Sequence, residues 1–260
     1  MTGDVTKNRE TLIEFSRVTY RLKDTSERVI VSTTNLSISR GETLVLLGRS
    51  GSGKTTLLRL INRMLSPTSG EVLVDGRATT EWDPIRLRRA IGYVIQDAGL
   101  FPHFTVAENV GLVPKLENWE PARIASRVDE MLRLVGLDPG QYGKRRPREL
   151  SGGQRQRVGV ARSLAADPAI LIMDEPFGAL DPVTRAELQR EFKDLARRLE
   201  KTIVFVTHDL REALFLASRL VLLQEGKIVA TSHPQEFLYL DHPEVRAFAA
   251  SLAVLPGATG

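Results

Sequence analysis

An apolar run, Leu44-Val45-Leu46-Leu47, leads straight into Gly48-Arg49-Ser50-Gly51-Ser52-Gly53-Lys54-Thr55, and no other stretch constrains this chain as tightly. Beyond it, Leu57, Leu58 and Ile61 recur at helical spacing. A strand, a glycine-rich turn and a helix are therefore expected in that order. The residue types have a chemical reason. Glycines let backbone N–H groups curl around phosphate oxygens with no side chain in the way, and the following helix aims its positive end at the same anion. Lys54 is placed to reach the β and γ phosphates of a nucleotide, and the Thr55 hydroxyl to hold Mg2+. A plain Gly/Ser turn would not require Lys-Thr at that offset. The segment predicts a nucleoside triphosphate site and leaves the base open.

At 260 residues the chain has room for one or two domains and a core that needs no disulfide or metal staple. Hydrophobic residues make up 42% and charged residues 26%, which excludes a disordered or collagen-like chain. The formal net charge of +4 is too mild to demand nucleic acid, and no nucleic-acid partner is expected. The basic clusters Lys144-Arg145-Arg146 and Arg86, Arg88 and Arg89 read first as solvated faces. With no cysteine, disulfide scaffolds, cysteine zinc sites and thiol nucleophiles are excluded. Met1 to Glu10 is polar, with no signal peptide expected, and nowhere do about 18 apolar residues run together. The expectation is a chain that does not cross a membrane by itself.

Further short apolar runs, Ala169–Met173, Ile203–Val206 and Leu220–Leu223, suit strands covered on both faces, as in a parallel sheet. Between them Leu188, Phe192, Leu195 and Leu199 paint one face of a helix, with Asp181 as its cap and Pro182 at its first turn. Residues 12–20 and 28–39 alternate like half-buried antiparallel strands. Glu225-Gly226 between Arg219–Gln224 and Lys227–Ala230 predicts a hairpin. The middle, roughly 97–166, reads as helical, with a capping box at Thr105 to Glu108 and a helix from Pro121 to Val135 closed by Gly136. The expected fold is α/β, and Leu255 to Gly260 reads as a loose tail.

Two more segments carry chemistry. Asp174-Glu175 ends the run 169–173, the strand edge where open α/β sheets bind ligands. Neighbouring residues of an extended chain point opposite ways, so Asp174 suits a metal shell and Glu175 a base for water attacking a γ-phosphate. Phosphoryl transfer to a substrate and hydrolysis both remain open, as does an acid pair that only caps a helix. Leu150-Ser151-Gly152-Gly153-Gln154 opens a helix running to Ala165, with free backbone donors and a hydroxyl aimed at negative charge. Either a second ligand binds there, or that helix tip completes a nucleotide site on another copy.

The set Gly48–Thr55, Gln96, Leu150–Gln154, Ala169–Glu175, Ala179-Leu180-Asp181 and His208, in that order, resembles the ATP-binding subunits of ABC transporters across nearly the whole chain. The resemblance implies a P-loop, RecA-like, mostly parallel core with an N-terminal antiparallel β subdomain and an inserted helical subdomain. Residues 1–96 and 167–240 would form the core, 97–166 the helical subdomain and 241–260 a short C-terminal helix and tail. ATP and Mg2+ would be the cofactors, with Thr55, Gln96 and Asp174 at the metal. Gly48, Arg49, Ser50, Gly51, Ser52, Gly53, Lys54, Thr55 and Thr56 would hold the phosphates, and Tyr20 would stack on adenine. Two copies would face head to tail, with Ser151, Gly152, Gly153 and Gln154 of one closing over ATP held by the other and Asp181 meeting the opposite phosphate loop. Glu175 would be the base, with Lys54, His208 and Gln96 beside the reacting phosphate. Taken singly, Tyr20 reads as a structural strand residue, Gln96 as a polar strand end, and His208 as a cap for the helix near Asp209. Membrane permeases would be the direct partners on the cytoplasmic face, with an extracytoplasmic substrate-binding protein acting indirectly.

Ile61 to Gly70 and Val94 to Thr105 look like importers of glycine betaine, carnitine, choline and related osmoprotectants, although Asp97 departs from the uncharged residue expected there. Longer relatives carry a pair of CBS domains after the ATPase, for which the sequence to Gly260 leaves no room. An importer of another small polar solute would keep the same catalytic residues. A soluble ABC ATPase of repair, translation or cofactor assembly would usually show paired halves, zinc modules or coiled-coil arms.

Overall fold

The computed structural model describes residues 10–22 and 28–253, so the expected tail from Leu255 lies outside the described residues. In chain order the first elements are β1 (Thr11–Arg21), β2 (Val29–Ser39), β3 (Thr43–Leu47), α1 (Lys54–Ile61), β4 (Ser69–Val74), β5 (Arg77–Ala78), α2 (Pro84–Ala90) and β6 (Ile91–Val94). Helices dominate next: α3 (Val106–Val110), α4 (Leu112–Leu116), α5 (Pro121–Leu134), α6 (Pro139–Tyr142) and α7 (Gly152–Leu164). Then come β7 (Ile170–Asp174), α8 (Pro182–Leu199), β8 (Thr202–Thr207), α9 (Leu210–Leu216), β9 (Arg219–Gln224), β10 (Lys227–Ser232), α10 (Pro234–Phe237) and α11 (Pro243–Ala253). The chain divides into two units, Met1–Pro84 with His208–Gly260, and Ile85–Thr207.

In the first unit, β2, β1, β4 and β5 pair antiparallel in that order. Alternation drives this sheet, since Ile13, Phe15 and Val18 of β1 are buried while Glu14 and Arg17 are exposed. β3 runs parallel to β9, with Leu44 opposite Arg219 and Leu47 opposite Leu222, and β10 returns antiparallel. Glu225 and Gly226 both have positive φ, as a two-residue hairpin turn requires. The largely buried Glu42 carboxylate pairs with Arg219 at 2.6 Å and accepts the Ser39 N–H at 2.8 Å, tying the β2–β3 corner to the start of β9.

In the second unit, β6, β7 and β8 are parallel neighbours, with Met173 of β7 opposite Val94 and Phe205. Burial on both faces explains their continuous apolar runs. The helical stretch falls where the sequence places it. Thr105 and Glu108 form the capping box of α3, and α5 ends at Gly136, whose φ is 73°. Sequence patterning passed over β4, β5 and α2, which are short and carry few matches to either period.

Asn109 is fully buried in α3 and closes the loop before it. Its side-chain oxygen accepts the Phe101 N–H at 2.8 Å, and its amide donates to the carbonyls of Thr105 at 2.9 Å and Phe101 at 3.2 Å. Asn109→Leu strands these groups away from water and should cost about 3 kcal/mol, measured as a lower urea midpoint of unfolding.

Candidate functional site

The phosphate-type loop begins where β3 ends. Gly53 has φ 101°, and a Cβ there would stand 2.9 Å from the Ile30 carbonyl oxygen, so both conformation and space demand glycine. The loop is fixed from outside as well: the Gly226 N–H donates to the Ser52 carbonyl at 3.1 Å, and the Ser32 N–H to the Gly226 carbonyl at 2.8 Å. Lys54 is only 4% exposed, and its ammonium donates to the carbonyls of Gly48 at 2.7 Å and Arg49 at 2.9 Å. Ser52 Oγ is buried with no hydrogen-bond partner. A ring of loop amides, a buried cation and an orphaned hydroxyl fit the oxygens of a triphosphate.

Thr55 and Thr56, in the first turn of α1, are half-buried. Ser50 and Gly51 are exposed at the loop tip. Tyr20 is half-buried on β1 opposite Val31 of β2, and the Val31 side chain lies 3.4 Å from the Cβ position of Gly53. The fold therefore sets Tyr20 one strand away from the phosphate loop. His208 is exposed. The cap of α9 is Asp209, whose carboxylate accepts the N–H groups of Arg211 at 2.8 Å and Glu212 at 3.3 Å. His208 is thus not that cap, which corrects one of its two sequence readings.

In the second unit, Asp174 ends β7 opposite Val206, and the Glu175 N–H donates to the Val206 carbonyl at 3.1 Å. Glu175 has φ 47°, a conformation costing a non-glycine residue about 1 kcal/mol. The turn that holds it is anchored by buried Phe177, stacked near Phe205 and Phe192 with centroids 5.9 and 6.1 Å away. A Cβ built on Gly178 would lie 3.4 Å from the Gln96 amide nitrogen and 3.8 Å from a Glu175 carboxylate oxygen. Gln96 and Glu175 are thereby brought to one spot, from the ends of β6 and β7.

Ser151 caps α7 reciprocally, accepting the Gln154 N–H at 3.2 Å while the Ser151 N–H donates to the Gln154 side-chain oxygen at 2.9 Å. Gln154 also donates to the Tyr142 hydroxyl at 3.2 Å. A Cβ on Gly153 would come within 2.7 Å of Thr184, so glycine is what lets α7 meet α8. Gly152, beside it, opens α7. Asp181 caps α8 and accepts from Thr184 at 3.0 Å and Val183 at 3.2 Å. These backbone donors, Thr184 first, pull its carboxyl below the usual aspartate range.

One residue escaped sequence reasoning. Arg162 of α7 donates to the carbonyls of Gly99 at 2.7 Å and Ala98 at 2.6 Å, which pins the segment after Gln96 to α7. Burial pushes its guanidinium pKa down. In sequence Arg162 is one more polar position on a helix, and nothing local marks its target. Among the described residues no group of three His, Cys, Asp or Glu side chains could cage a metal.

Comparison with known proteins follows the same lines. Residues 31–178 match the family described as ABC transporter. The chain is 53% identical over 208 residues to the glycine betaine/carnitine/choline transport ATP-binding protein OpuCA of Bacillus subtilis (strain 168), covering 80% of this chain and 54% of that protein. It is 49% identical over 227 residues to the glycine betaine uptake system ATP-binding protein YehX of Escherichia coli (strain K12), covering 87% and 72%. The dimeric post-hydrolysis structure of the ATP-binding cassette MJ0796 bound to ADP and Pi superposes with TM-score 0.77 at 34% identity, over 86% of this chain and 99% of that one. This chain spans little more than half the length of OpuCA.

The depressed Asp181 pKa has a stability consequence of definite sign. Its cap contributes fully above the unfolded aspartate pKa and is lost as pH falls through the lower folded value. Thermal melts between pH 6 and pH 3 should show Asp181→Asn losing less stability on acidification than the unaltered chain.

Proposed function

We propose, from the premise that this chain belongs to the ABC transporter family, that it is the ATP-hydrolysing subunit of an importer for osmoprotectants of the glycine betaine and choline type. The phosphate loop carries the assignment of ATP binding, through the buried Lys54 ammonium already gathered among its carbonyls. The solute class rests on identity of about half to OpuCA, whose name specifies glycine betaine, carnitine and choline transport, and to YehX, whose name specifies glycine betaine uptake.

In this reading the loop amides of Gly48 to Lys54 donate to phosphate oxygens. Lys54 exchanges its two carbonyls for the β and γ phosphates, a trade of neutral acceptors for charged ones. Thr55, Asp174 and Gln96 are the oxygen donors for Mg2+, which when bound neutralises charge on the phosphates. Glu175 takes a proton from the attacking water as the bond to the leaving ADP oxygen breaks, and Gln96 and His208 orient that water and the γ-phosphate. Tyr20 stacks on the base. Hydrolysis, rather than transfer, follows from a dimer that buries the γ-phosphate: Ser151, Gly152, Gly153 and Gln154 of one copy close over ATP held by the other, and Asp181 reaches the opposite loop. MJ0796 supplies support, being a dimeric cassette related across most of this chain.

The energy of that closure is passed to permease subunits at the cytoplasmic face of the membrane, with a substrate-binding protein delivering solute from outside. Among the described residues no helix is long and apolar enough to cross a membrane.

Glu175→Gln should retain ATP binding while turnover falls at least about 100-fold, with a stable ATP-dependent dimer by light scattering. Full turnover would move the base elsewhere. Reconstitution in lipid vesicles with the permease and substrate-binding proteins that co-purify with it tests the solute. Glycine betaine or choline should raise ATPase activity, and stimulation by an amino acid or inorganic anion instead would replace the solute class while leaving the ATPase intact.

A further inference from the structure

Arg49, second residue of the phosphate loop, is held at both ends. Its carbonyl accepts from the Lys54 ammonium at 2.9 Å and from the Ser52 N–H at 3.2 Å. Its guanidinium is turned away from the loop and meets Glu244, with Nε 2.6 Å from one carboxylate oxygen and a terminal nitrogen 3.5 Å from the other. Glu244 lies in the first turn of α11, almost 200 residues further along the chain. Its side chain is 11% exposed, whereas that of Arg49 is 69% exposed. The acid is therefore the fixed partner and the arginine the movable one.

Three further contacts fix the acid. The Glu244 N–H donates to His242 Nδ1 at 3.2 Å, the neighbouring Val245 is fully buried, and Arg211 of α9 donates to the Leu252 carbonyl at 3.3 Å near the other end of α11. The first turn of a helix also favours a carboxylate. α11 is thus joined through Glu244 to the phosphate loop and through Arg211 to the helix that follows His208.

We propose that Glu244 is a positioning residue that holds Arg49 back from the nucleotide, so that docking of α11 and binding of ATP oppose one another. This rests on the assignment of the loop as the ATP site. A triphosphate is a stronger attractor for a guanidinium than one carboxylate, because it offers several charged oxygens in bidentate geometry. While Glu244 keeps Arg49, that attraction is forfeited. Once Arg49 turns to the phosphates, α11 loses its tie to the loop. Because coupling is reciprocal, nucleotide must loosen α11 by as much as α11 weakens nucleotide.

The test is a titration of the full chain with a fluorescent N-methylanthraniloyl ATP, in low salt, for the unaltered protein, Glu244→Gln, Arg49→Gln and the double variant. Glu244→Gln should bind about fivefold more tightly, within the usual range of coupling between sites. The gain should shrink in high salt, where exposed charges are screened. In the Arg49→Gln background it should vanish. Amide exchange across residues 243–250 should quicken when ATP is added to the unaltered chain and stay constant in Arg49→Gln. Equal or weaker binding by Glu244→Gln overturns the proposal. So does a gain that survives without Arg49, which would mean a through-space charge effect only, or exchange in α11 that ignores nucleotide. If Glu244→Gln fails to fold, Glu244→Asp shortens the side chain by one methylene, draws the carboxylate away from Arg49 and should bind more tightly than the unaltered chain. An unaltered chain that binds no nucleotide would defeat the loop assignment itself, whereas normal binding that Glu244→Gln leaves unchanged defeats the latch alone.

Discussion

The buried Lys54 ammonium donates hydrogen bonds to two loop carbonyls, of Gly48 and Arg49, which offset the cost of taking the charge out of water. Those carbonyls converge because Gly53 turns left-handed and passes within a glycine's reach of the Ile30 carbonyl. Ile30 is brought there by β2, and the β9–β10 turn at Gly226 bonds the loop from the other side. The first unit is in this sense a frame around one cation. Its antiparallel sheet approaches the loop at Ile30 and its hairpin bonds it from Gly226, so the turn around the lysine is held from two sides.

The second unit answers a different requirement, that of presenting carboxylates and amides in a fixed relation. Glu175 sits in a conformation that disfavours it, held by a strand carbonyl and three packed phenylalanines. Strain of this kind persists only where surrounding packing outweighs it. Arg162 performs the corresponding task for the Gln96 segment, and the two bonds it makes link the signature helix α7 to that segment directly.

Much of this was legible before any coordinates. Apolar runs of four or five residues located β3, β7, β8 and β9, because strands covered on both faces carry no polar alternation. The caps at Thr105 and Asp181 were readable since each bonds within three residues of itself, whereas Ser151, read as a hydroxyl aimed at negative charge, instead caps its own helix with Gln154. What stayed hidden has a common cause. The left-handed Glu175, the Asp209 cap in place of His208, and the partnership of Arg162 with Ala98 and Gly99 all depend on competition between neighbours or on contacts far along the chain.

Local chemistry, then, was determined by the sequence alone: which loop gathers glycines around a lysine, which strand ends in paired acids, which helix opens on Ser-Gly-Gly, since each needs only residues adjacent in the chain. The tertiary structure decided where long side chains go. Arginines 49 and 162 look alike in sequence, yet one turns to a helix from the far end of the chain and the other to a loop some sixty residues earlier. A guanidinium on a flexible stem has no preferred partner until packing brings an acceptor within reach.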